Sequence, residues 1–129
     1  MSYQYEKNNG NGKSSNRVIN GNGKDILNYL IMKDIYKKHG QEVFNKKDDG
    51  LVIETVMKYT YSEEESKRAK EDGGEDYAIA RFASKLGFAE QRKTILYILF
   101  DMIQNDSAKN GKSIDTLLEE KITGQFALF

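Results

Sequence analysis

Seven consecutive residues late in the chain carry no charge: Thr94-Ile95-Leu96-Tyr97-Ile98-Leu99-Phe100. In a chain that is 31% charged and 38% hydrophobic, such a run is where a core must be built. It lies within residues 88–104, whose apolar positions recur at helical spacing. An uncharged arc of this length predicts a helix buried on most of its sides, at the centre of a bundle.

The rest of the chain supplies the packing partners. Residues 25–38 place Ile26, Leu27, Leu30, Ile31 and Ile35 on one helical face, and Lys37, Lys38 and His39 suit the negative end of the helix dipole before Gly40. Ser62 followed by Glu65 is a capping-box pattern that starts a short, very acidic helix ending at Gly73-Gly74. Its charges are expected to face solvent. Asp76 is positioned to cap a helix that closes at Gly87, and residues 88–104 form the next one. Asn110-Gly111 is a turn, Ser113 caps a last helix with Leu117, Leu118 and Ile122 facing in, and Thr123-Gly124 ends it.

Residues 43–61 read two ways. Helical spacing groups Val52, Ile53, Val56 and Met57, whereas alternation groups Leu51, Ile53, Thr55, Met57, Tyr59 and Tyr61. A strand here has only a weak partner around Val43, so helix is preferred and a short β-hairpin is the alternative. The expected fold is a mainly α single domain, a small bundle of four to five helices. Residues 1–24 are a flexible polar arm, residues 25–123 the helical domain, and residues 124–129 an apolar C-terminal peptide. At 129 residues the chain suits one domain.

Composition excludes several functions. There is no cysteine, hence no disulfide, thiolate catalysis or cysteine-ligated zinc. No apolar run approaches a membrane span and no signal peptide is expected, so a cytoplasmic location follows. The 20 basic and 20 acidic residues cancel, and bulk charge gives no support to a nucleic-acid partner. Charge is nevertheless uneven: residues 62–76 hold seven carboxylates against three basic groups.

Catalytic chemistry finds little to stand on. Gly12-Lys13-Ser14 looks like the end of a phosphate loop, but position 7 is Lys where that loop needs Gly. His39 suits a dipole partner better than a base. Asp48, Asp49, Glu71, Asp72, Glu75 and Asp76 lack calcium-loop spacing. A non-enzyme without metal or cofactor is expected.

Two patterns suggest partners. Residues 79–99 place Ala83, Gly87 and Leu96 near the small, turn and apolar positions of helix-turn-helix motifs, with Arg81, Lys85, Arg92 and Lys93 available to DNA. An ordinary helix pair with a glycine turn accounts for them more simply. The second pattern is Gln125-Phe126-Ala127-Leu128-Phe129. It resembles the pentapeptide by which bacterial proteins dock on the replicative sliding clamp. Gln125, Leu128 and Phe129 match the anchoring positions, while Phe126 replaces a usual leucine and Ala127 a usual Ser or Asp. The resemblance covers five residues and implies a protein partner, the bacterial sliding clamp. Gln125, Phe126, Leu128 and Phe129 would be its contacts, and Gly124 a hinge freeing them. The expected function is then a small adaptor or inhibitor in DNA replication or repair, of bacterial, plasmid or phage origin. The alternatives are a helix-turn-helix regulator and a structural or virion assembly subunit.

Overall fold

The computed structural model describes the backbone of residues 15–127 and the side chains of residues 26–124. Among the described residues there are five α-helices and no strand: α1 (Ser15–His39), α2 (Gln41–Lys46), α3 (Asp49–Thr60), α4 (Glu63–Asn110) and α5 (Ile114–Ala127).

Helix α1 buries Asn28, Ile31, Met32 and Ile35, the i, i+3, i+4, i+7 stripe of an amphipathic helix. It begins at Ser15, well before residue 25, and so takes in part of the stretch read as an arm. Once a helix is nucleated each further residue adds a hydrogen bond, which lets it run through sequence of poor propensity. At its other end the Gly40 amide donates to the Tyr36 carbonyl at 2.8 Å. Gly40 then turns the chain with φ 80° and ψ −177° into α2.

Residues 43–61 form helices, and the β-hairpin alternative is excluded. Asp48 caps α3, its carboxylate accepting from the Leu51 amide at 3.2 Å. Val52, Thr55 and Val56 then face the core at helical spacing. The Thr55 hydroxyl avoids being an unpaired buried group by donating to the Leu51 carbonyl at 2.9 Å. β-Branched content yields here to the cap and to the absence of a partner strand.

The Ser62 cap forms as expected, accepting from the Glu65 amide at 3.3 Å. The acidic helix that follows faces solvent and breaks at Gly74, whose φ 85° and ψ −176° nearly repeat Gly40. Such backbone is accessible essentially to glycine alone. Past Gly74 the helix is continuous to Asn110. Gly87 does not close it, and Asp76 lies inside it rather than capping it. Gly111, in left-handed conformation, ends α4 by donating to the Ser107 carbonyl at 3.0 Å. Ser113 caps α5 through the Thr116 amide at 3.1 Å. Helix α5 then continues through Gly124 to Ala127, so Gly124 is a helical residue and not a terminator.

Cross-helix contacts fix the directions. Asn28 of α1 meets Arg92, and Gln41, which follows the end of α1 and opens α2, meets Gln104, so α1 and α4 run the same way. Lys33 pairs with Glu119 and Lys121 lies over the Tyr29 ring, so α5 returns antiparallel to α1. The core gathers Ile31, Met32 and Ile35 of α1, Val52 and Val56 of α3, Leu96, Phe100 and Ile103 of α4, and Leu118 of α5. At its middle Phe44 stacks on Phe100, with ring centroids 4.3 Å apart and planes 6° from parallel. Full burial of each such ring stabilises by ~1.5–3 kcal/mol. This is how a six-residue α2 is held in place.

Candidate protein-binding surface

The uncharged run of α4 does not lie buried on most sides. Leu96 and Phe100 are fully buried, but Ile95 is 49% and Ile98 57% exposed. Together with Phe88 (62%) and Met102 (54%) they form an apolar ridge along α4, on a different face from Ala89, Leu96, Phe100 and Ile103. Successive helical residues turn by about 100°, so seven of them circle the axis almost twice and some must face outward. Absence of charge cannot select which. Contiguous exposed apolar surface on a helix marks an interaction site more often than a chance feature.

Beside the ridge lies a cleft of about 440 Å³ between α1, α3 and α4. Val56, Phe88, Ala89 and Ile95 supply apolar walls, and Asn28, Lys85 and Arg92 supply polar ones. Asn28 is only 5% exposed, and its side-chain oxygen accepts from Arg92 Nη1 at 2.7 Å. Partial burial lowers the Arg92 pKa from its ordinary value. Among the described side chains no carboxylate pairs with Arg92 or Lys85. A desolvated guanidinium held by a neutral amide keeps its affinity for an anionic group. The cleft was legible only as an asparagine on the otherwise apolar face of α1.

The four basic residues of the helix-turn-helix reading do not form one patch. Arg81 lies near the Gly74 bend beside Glu65, Arg68 and Asp72. Lys85 and Arg92 line the cleft. Lys93 turns to α3, 3.5 Å from the Asp49 carboxylate and 5.9 Å above the Tyr97 ring. With Gly87 inside a continuous helix there is no turn, and the geometry that would present a recognition helix is absent from this stretch.

A polar clasp holds α4 to the α2–α3 turn. The Tyr97 hydroxyl donates to the Asp49 carboxylate and lies 2.8 Å from the Lys47 carbonyl. Lys47 itself is left-handed at φ 54° and pairs with Asp101 at 2.9 Å. The hydrogen bond from Tyr97 lowers the Asp49 pKa; some desolvation opposes that, and Lys93 adds to it. Desolvation first, and Asp49 second, push the Tyr97 phenol well above its ordinary range. These shifts belong to a structural contact that keeps both groups engaged. Among the described residues, no group of three or more His, Asp or Glu could hold a metal ion, and no helix is long and apolar enough to cross a membrane.

In the C-terminal peptide, Gln125, Phe126 and Ala127 have helical backbone at the end of α5. Their side chains, and Leu128 and Phe129 altogether, lie outside the described residues. Ile122 is the last buried side chain among those described, with Thr123 and Gly124 exposed after it.

No family model, no curated protein and no solved structure matches this chain.

Proposed function

We propose that this chain is a small non-enzymatic adaptor or inhibitor in DNA replication or repair, docking on the bacterial sliding clamp through residues 125–129. The observation that carries the reading is the order of side chains there: Gln125 for directional hydrogen bonds, Leu128 and Phe129 as adjacent apolar anchors. Short peptides gain most of their binding energy from a few such anchors in a preformed apolar pocket. The bundle is compatible with this role. Among the described side chains of α5 the last buried one is Ile122, so engagement of the peptide elsewhere withdraws no described core residue. An extended peptide would require the last turn of α5 to unwind, and Gly124 makes that turn about 1 kcal/mol weaker than alanine would.

The test is a titration of a purified bacterial sliding clamp with the full chain and with the Leu128→Ala/Phe129→Ala double variant. Saturable binding by the former, weakened at least about tenfold in the latter, supports the reading. Equal binding by both, or none by either, removes it.

A further inference from the structure

The ridge of α4 repeats in a way another helix can match. Phe88, Ile95 and Met102 recur every seventh residue, and Ile98 sits three after Ile95. Recurrence at seven with an intervening apolar position is the spacing of a coiled-coil seam. All four side chains are about half exposed or more, and a helix laid along them displaces none of the buried core of α4.

We propose that the ridge is a homodimer interface, in which α4 packs antiparallel against α4 of a second copy. The sequence of the ridge is complementary to its own reverse. With the two-fold axis between Ile95 and Ile98, each of these residues stands opposite the other in the second copy. Met102 then faces Gln91, and Phe88 faces Asn105, so the apolar layers are central and the polar ones lie toward the ends.

Charge selects the orientation. In this register Lys85 flanks Asp106 of the second copy, at both ends of the seam. Neither Lys85 nor Asp106 has an ion-pair partner among the described side chains. The Arg92 stem crosses Leu99, and Thr94 meets Asp101, a neutral donor against a carboxylate. A parallel pairing would instead set Asp101 beside Asp106, and like charges flanking a seam oppose association. The proposal uses no residue after Asp106 and is independent of the C-terminal peptide.

The experiment is the mass of the full chain in solution, by sedimentation equilibrium at low ionic strength over a range of concentrations. The expected result is a monomer–dimer equilibrium. Ile98→Lys, at an exposed position, should raise the dimer dissociation constant about a hundredfold with helix content unchanged. Lys85→Glu and Asp106→Lys should each weaken the dimer, and the two together should restore it. A monomer at every concentration overturns the proposal, as does a dimer indifferent to Ile98→Lys. A double charge exchange weaker than either single one overturns the antiparallel register.

Discussion

Arg92 of α4 donates from Nη1 to the side-chain oxygen of Asn28 in α1 at 2.7 Å, an amide–guanidinium contact at the floor of the cleft. The two depend on each other unequally. Asn28 is almost wholly buried, whereas Arg92 is only partly so. Arg92→Met should therefore cost ~1–3 kcal/mol, because it leaves a buried acceptor without its donor. Asn28→Leu together with Arg92→Met should recover part of that loss, since an apolar pair has no group to satisfy. Chemical denaturation of the two single variants and the double variant measures the coupling. Additive losses would show that the contact contributes nothing of its own.

The glycines of α4 give a test with opposite signs. Gly74 has φ 85° and ψ −176°, a conformation that costs a side-chain-bearing residue ~1–3 kcal/mol. Gly87 is helical, and a Cβ built there meets nothing within 4 Å. Gly74→Ala should destabilise by that amount, while Gly87→Ala should stabilise by ~0.5–1 kcal/mol. A turn at Gly87 would reverse the second sign. Thermal unfolding of the two variants decides it.

Asp49 sets a pH dependence. Its pKa in the folded chain lies below the ordinary value of 3.8, held there first by the Tyr97 hydrogen bond. The folded state thus binds the proton more weakly than the unfolded one. The stabilisation is complete above the unfolded pKa and is lost as pH falls through the lower folded value. The stability gap between the native chain and Asp49→Asn should be full at neutral pH and close as the pH falls below the ordinary carboxylate value. A gap independent of pH would mean that the carboxylate charge is not what Tyr97 and Lys93 recognise.

What the sequence disclosed well was local. Ser62, Ser113 and Gly111 act within three or four residues of themselves, and each does in the structure what its position implies. The mainly α architecture followed from the same local patterns. What it disclosed badly was direction and continuity. Gly87 and Gly124 look like stops, yet a glycine inside a helix costs only about 1 kcal/mol, which flanking turns supply. The charge-free stretch marked the central helix but not its exposed face, because Ile95 and Leu96 are equally apolar and differ only in which way they point. Leu51 to Tyr61 was ambiguous because helical and alternating patterns share Ile53 and Met57; the Asp48 cap decides for helix. The C-terminal signal is of a different kind. Gln125, Leu128 and Phe129 resemble a docking peptide by residue type and order alone, and their side chains lie outside the described residues.

The most direct test of the proposed role compares the full chain with a chain ending at Gly124, following both unfolding and binding to a bacterial sliding clamp. The proposed role assigns residues 125–129 to the partner, so their removal should abolish clamp binding and leave stability within about 1 kcal/mol. Undiminished clamp binding by the shortened chain, or no binding by the full chain, would contradict the account.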